Sequence, residues 1–188
     1  MHKDNTALYR LLAHALTYPD QHFITNVQVA VGKIDVELYD DASLPLGALV
    51  QELGKLSSLP LDQVQGEHTR LFINAYPHVP CPPYESAYRE GELLGAAAEQ
   101  VDVLYREWGL VVEGEQVDHV AAELEFVAFL LTLDTPEARN AAETFTRDHL
   151  ARWVPRFAED VIRESRLGFY REAGRLLAIM VREEFALT

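Results

Sequence analysis

Asp118-His119-Val120-Ala121-Ala122-Glu123-Leu124-Glu125-Phe126-Val127-Ala128-Phe129-Leu130-Leu131 is the stretch that decides the fold class. Val120, Leu124, Val127, Leu130 and Leu131 recur at the three- and four-residue steps that lay an apolar stripe along an α-helix. Asp118 stands where a short acceptor side chain caps a helix start. The same period extends outward in both directions. Toward the N-terminus, Leu93, Leu94, Ala97, Val101, Leu104, Tyr105 and Trp108 form a stripe, and Gly109 follows where a left-handed cap belongs. A helix from about Asp62 to Ala75 brings Val64, His68, Leu71 and Phe72 onto neighbouring faces. Leu46, Leu49, Val50, Leu53 and Leu56 form another, closed by Ser57-Ser58 and Pro60, and Leu8, Leu11, Leu12, Ala15 and Leu16 form the first, ended by Pro19.

Toward the C-terminus, Thr135-Pro136-Glu137 opens a helix with a cap, a proline at the first position and an acid facing the dipole. Ala138, Ala142, Phe145 and Trp153 are its apolar face. Pro155 is expected to separate it from Phe157, Val161 and Ile162, and Phe169, Ala173, Leu176, Leu177 and Met180 make the last helix. One stretch cannot be helical: Pro77, Pro80, Pro82 and Pro83 force Tyr76 to Pro83 to be extended or turned. Ile34 to Leu38 alternates like a strand, but it is short and isolated. The reading is an all-α, single-domain bundle of about eight to ten helices over residues 1–188.

Composition narrows the function. The 188 residues are 48% hydrophobic, as in an ordinary globular domain, and no window reaches the roughly 18 apolar residues of a membrane span. Met1 to Arg10 carries charge where a secretory signal is apolar, so a cytoplasmic location is expected. Sixteen Lys and Arg against thirty Asp and Glu leave a net charge of −14. Such a field repels phosphate backbones, which argues against nucleic acid and anionic membranes and favours a basic ligand. Acidic surfaces also simply keep proteins soluble, and on charge alone that is the reading to prefer.

Two stretches depart from a generic bundle. In the first, Glu67…Leu71-Phe72 leads into the proline turn and then Pro82-Pro83-Tyr84-Glu85-Ser86…Tyr88. A stiff loop with aromatics suits peptide recognition, since little entropy is lost on binding; prolines that fix a tight connection and tyrosines that plug the core would read the same way. In the second, Asp118 and His119 open a helix with Glu123 one turn on. They form either a polar cluster for a basic or backbone-donating ligand, or a cap and an i, i+4 pair worth a few tenths of a kcal/mol. Enzyme chemistry finds no support. None of the seven histidines has Glu three residues before it, and His-Glu-x-x-His is absent, so no metal site is expected. Cys81, the only cysteine, sits between prolines with no base arranged beside it.

Taken together, Glu67…Leu71-Phe72, Pro80, Pro82-Pro83-Tyr84-Glu85-Ser86…Tyr88, Tyr105, Gly109-Leu110, Asp118-His119…Glu123-Leu124-Glu125-Phe126, His149-Leu150…Trp153…Pro155…Phe157 and Phe169-Tyr170 resemble the TorD/DmsD/NarJ family. The resemblance spans about Glu67 to the C-terminus. It implies an all-helical cytoplasmic chaperone, not an enzyme. Such a chaperone binds the N-terminal leader, often a twin-arginine signal, of the apo catalytic subunit of a molybdopterin-containing oxidoreductase, and withholds it from export until its cofactor is loaded. The family pattern commonly has Pro before Asp-His, where this chain has Val117. The resemblance places peptide binding on Asp118 and His119, then on Tyr84, Glu85 and Ser86, with Glu123, Leu71 and Phe72 beside them. It implies no cofactor of the chaperone's own. A monomer and a segment-exchanged homodimer both stay open, as does a helical adaptor that binds a folded partner.

Overall fold

The computed structural model describes residues 5–34, 45–112 and 117–186, with side chains described as far as residue 182. Among these residues, ten α-helical segments follow one another: α1 (Thr6–Leu16), α2 (Phe23–Val31), α3 (Leu46–Leu56), α4 (Leu61–His68), α5 (Glu85–Arg89), α6 (Ala96–Glu107), α7 (Val120–Leu133), α8 (Pro136–Phe145), α9 (Ala151–Glu164) and α10 (Gly168–Ala186). Among the described residues there is no strand. A bridge between extended residues joins Tyr84 to His119. Positions 35–38 of the alternating stretch lie outside the described residues, as does Gln116.

One apolar core runs through the helices. α1 lies between α2 and α7, and α10 packs on α9, α3 and α1. The predicted stripes supply most of the buried face, but Val50, placed with the α3 stripe, is exposed because it falls one position round the helix from the buried Leu49 and Leu53. Leu8, Leu11, Leu12, Ala15 and Leu16 of α1, Leu124, Val127 and Leu130 of α7, and Leu176, Leu177 and Met180 of α10 are all closed from solvent.

Local chemistry sets several ends as expected. Gly109 has φ +74°, and the amides of Gly109 and Leu110 donate to the carbonyls of Arg106 and Tyr105 at 3.0 and 2.9 Å. These are the two bonds that close a helix on a left-handed glycine. Thr135 Oγ1 accepts from Ala138 N–H at 3.1 Å, with Pro136 opening α8.

Elsewhere tertiary structure overrides the local reading. Pro155 lies inside α9 and does not break the chain into separate helices. The wider turn Thr146–Leu150, just before it, links α8 to α9 without interruption. A wide turn loosens the i→i−4 ladder, so the proline's missing amide and its ring are accommodated. Leu93 and Leu94, predicted to join the α6 stripe, are exposed and precede that helix, Leu94 having φ +60°. Glu90 accounts for the later start: its carboxylate accepts from Ala97 N–H at 2.9 Å and caps α6 from outside. α4 extends through a second wide turn, Thr69–Ile73, and the Tyr76–Pro77 peptide is cis.

Candidate functional site

The proline loop and the start of α7 are stitched to each other. Val120 N–H donates to the Pro83 carbonyl at 2.8 Å and Glu85 N–H to the Asp118 carbonyl at 3.0 Å. Ser86 N–H donates to Asp118 Oδ2 at 2.8 Å. Asp118 is therefore not the cap of its own helix. It faces inward and serves the first turn of α5, thirty-two residues away in sequence. His119 is the cap instead, its Nδ1 accepting from Ala121 N–H at 3.1 Å.

That bond fixes the His119 tautomer. A ring nitrogen that accepts carries no proton, so Nε2 is the donor of the neutral ring. Burial lowers the His119 pKa to about 4, and the Asp118 carboxylate offsets this only in part. Tyr84 and His119 stand edge to face, with ring centres 5.3 Å apart. Both are half-buried, so this aromatic pair is the part of the seam that meets solvent.

Beneath the seam three carboxyl groups, Glu85, Asp118 and Glu123, are fully closed from solvent. Glu85 pairs with Arg89 and lies 2.9 and 3.2 Å from His149 Nδ1. Trp153 Nε1–H donates to Glu123 Oε2 at 3.1 Å. Burial, reinforced by the nearby Glu85, pushes the Glu123 carboxyl well above the usual carboxylate range. Tyr105 donates to the Val117 carbonyl at 3.2 Å. Burial, with the adjacent carboxyl groups, keeps its phenol neutral. Glu123 thus turns away from His119 toward α9, and the i, i+4 pair exists only as backbone helix. Within this cluster, Ser86 Oγ, Asp118 Oδ1 and Glu123 Oε1 find no hydrogen-bond partner among the described residues.

Leu71 and Phe72 lie in the core. The Leu71 carbonyl accepts from Cys81 N–H at 2.9 Å, which ties down the return of the proline loop. Phe72 packs against His68, Phe157 and Tyr170. Cys81 is buried, and burial pushes its thiol up to about 12, so it is an inert packing residue at physiological pH. On the outer side of the loop, Pro80, Pro82, Ala87, Tyr88, Arg156 and Asp160 line a hollow of about 190 Å³. Tyr88 donates to Asp160 Oδ2 at 2.9 Å, and Arg156 lies over the Tyr88 ring.

The structure therefore brings six of the eight candidates, Tyr84, Glu85, Ser86, Asp118, His119 and Glu123, into one cluster and leaves Leu71 and Phe72 in its footing. Sequence reading assigned no site role to Arg89, His149 or Trp153, although His149 and Trp153 belong to the stretch that carries the family resemblance. His149 and Trp153 are spaced one helical turn apart in the His149-Leu150-x-x-Trp153 segment, and that spacing was the available signal. Among the described residues no group of three or more His, Cys, Asp or Glu side chains is placed to hold a metal ion, and no helix is long and apolar enough to cross a membrane.

Comparison with known proteins gives consistent relatives. The profile of a family described as nitrate reductase delta subunit matches residues 36–159. A chaperone protein TorD from Vibrio cholerae is 32% identical over 114 residues, covering 54% of this chain and 52% of the relative. A TorD chaperone from Vibrio parahaemolyticus is 29% identical over 108 residues, covering 50% of each chain. The chain thus spans about half the length of the curated relatives it matches. The crystal structure of an Archaeoglobus fulgidus protein assigned to redox enzyme maturation superposes with a TM-score of 0.65 at 25% identity, covering 100% of this chain and 95% of the other.

Proposed function

From the premise that this chain belongs to the nitrate reductase delta subunit family, the family of the TorD and NarJ chaperones, we propose that it is a maturation chaperone for a molybdopterin-containing oxidoreductase. It binds the N-terminal leader of the apo catalytic subunit and releases it once the cofactor is in place. The observation that carries this reading is the seam between the proline loop and α7. It offers a rigid, solvent-accessible aromatic pair, Tyr84 and His119, mounted on a buried polar frame. A rigid frame loses little entropy on binding, and the two rings present apolar faces with polar tips to an extended segment. The net charge of −14 favours encounter with the basic part of a leader.

The roles divide by burial. Tyr84 and His119 make the contact, with Nε2–H of His119 as a donor to the peptide backbone. Asp118, Glu85, Ser86 and Glu123 hold those two side chains in place, and Leu71 and Phe72 anchor the loop. The site acts in the cytoplasm, where an unexported client is found.

The test is titration of the folded chain with fluorescent leader peptides from the host's molybdoenzymes, repeated with His119→Ala and Tyr84→Ala. One leader is expected to bind at micromolar affinity or better, and each substitution to weaken it by about 1–3 kcal/mol. Circular dichroism should be unchanged. Asp118→Asn, which keeps an acceptor for Ser86 N–H, should retain most of the affinity. Leader binding that is indifferent to both ring substitutions would remove the seam from the reading. No binding by any leader to a folded chain would turn attention to an adaptor for a folded partner.

A further inference from the structure

Charge is distributed unevenly along this acidic chain. Of its thirty acidic residues, only Asp20 falls between positions 5 and 34, a stretch that carries Arg10, His14, His22 and Lys33. Asp20 lies in the turn between α1 and α2, where it accepts from His22 N–H at 2.8 Å. The two antiparallel helices beyond that turn carry no acid at all.

The sequence spacing puts the basic groups together. Thr6, Arg10 and His14 are four residues apart along one face of α1, Asn26 and Ala30 are one turn apart on α2, and Lys33 stands in the turn just beyond the end of α2, its amide donating to the Ala30 carbonyl at 3.2 Å. In the structure these residues, with Ala7 and Val29, line a groove of about 280 Å³. Arg10 is held across the bundle by the Thr132 hydroxyl at 3.0 Å, and that hydroxyl is itself fixed by the Ala128 carbonyl at 2.7 Å. Among the described residues, Arg10, His14 and Lys33 have no carboxylate partner, whereas Arg89, Arg106, Arg139, Arg163 and Arg175 all do.

We propose that the groove between α1 and α2 binds a small organic phosphate, with Arg10, His14 and Lys33 on its anionic oxygens and Ala7, Val29 and Ala30 against its organic part. A guanidinium offers several donors in a fixed fork, so one bond to Thr132 leaves others for a phosphate. Lys33 adds a mobile point charge at the mouth, and His14 and the Asn26 amide supply further donors. The volume exceeds what a bare phosphate needs, and the apolar wall gives the remainder a place to rest. The site is separate from the seam between the proline loop and α7, so leader binding and phosphate binding can fail independently.

The experiment is calorimetric titration of the full chain with inorganic pyrophosphate at low ionic strength, beside Lys33→Glu, Arg10→Gln and Lys55→Glu. Lys55 is an exposed lysine on α3 outside the groove. Saturable one-to-one binding is expected, weakened about tenfold or more by Lys33→Glu and Arg10→Gln and unchanged by Lys55→Glu. The His14 ring resonances should shift in the wild type as pyrophosphate is added. Absence of saturable binding, or equal loss from Lys33→Glu and Lys55→Glu, would overturn the proposal. Tighter binding of citrate than of pyrophosphate would overturn the phosphate assignment.

Discussion

Glu123 buries a carboxyl group whose pKa is raised well above the usual range, because ionising it would place a negative charge beside Glu85 without water to dissipate the field. The folded state therefore binds a proton that the unfolded chain releases above the ordinary carboxylate range, and stability contributed by the protonated form is lost as pH rises. Glu123→Gln keeps the shape and removes the titration. Urea unfolding at pH 5 and pH 8 should show the variant gaining on the wild type at the higher pH; a gap that stays constant would mean that Glu123 is ionised in the fold. His68 has the opposite sign. Burial lowers its pKa from 6.5 to about 4, so between those values the unfolded chain binds the extra proton and stability falls as pH drops. His68→Phe fits a site already bordered by Tyr18, Phe72 and Tyr170. It should flatten the pH 4–6.5 limb of the thermal unfolding midpoint, though not abolish it, because His119 titrates in the same sense. The sequence showed that Asp118 and His119 were polar residues at a helix start. It could not show which one caps the helix, because the Ser86 amide that claims Asp118 arrives only when the chain has folded.

Helix ends are legible to the extent that their chemistry is local. Gly109 and Thr135 act on groups within a few residues of themselves, and both were readable. Gly109→Ala meets no atom within 4 Å, so its cost is the left-handed backbone alone, about 1 kcal/mol. Thr135→Ala should cost about 1 kcal/mol through the lost cap on Ala138 N–H. Chemical denaturation measures both. The late start of α6 and the passage of α9 through Pro155 were not readable, since one depends on Glu90 reaching back to Ala97 and the other on a wide turn in the preceding segment. Packing of α9 on α10 makes a further demand. A Cβ at Gly174 would lie 3.1 Å from Ile162 Cγ1 and 3.2 Å from the Ala158 carbonyl oxygen, so Gly174→Val should cost about 1–3 kcal/mol as the helices are pushed apart. No loss of stability in that variant would mean that the two helices separate easily.

At the scale of the molecule, helical periodicity made the fold class readable because every long segment hides one stripe, and those stripes meet in one core. The candidate site was readable as two polar segments but not as one object. Its cohesion comes from contacts among Glu85, Asp118, Glu123, His149 and Trp153 that span four elements. Six of the eight residues expected to bind peptide are buried polar frame or hydrophobic core, so the proposed contact rests on Tyr84 and His119. The claim that this acidic bundle is a leader-reading chaperone is tested most directly by comparing its binding to the apo catalytic subunit of a molybdoenzyme with its binding to the same subunit lacking its N-terminal leader. The account predicts that deletion of the leader lowers affinity about tenfold or more, and that the isolated leader retains measurable affinity that His119→Ala reduces. Equal affinity for the intact and the leaderless subunit, with none for the isolated leader, would contradict it and assign the protein to a folded partner.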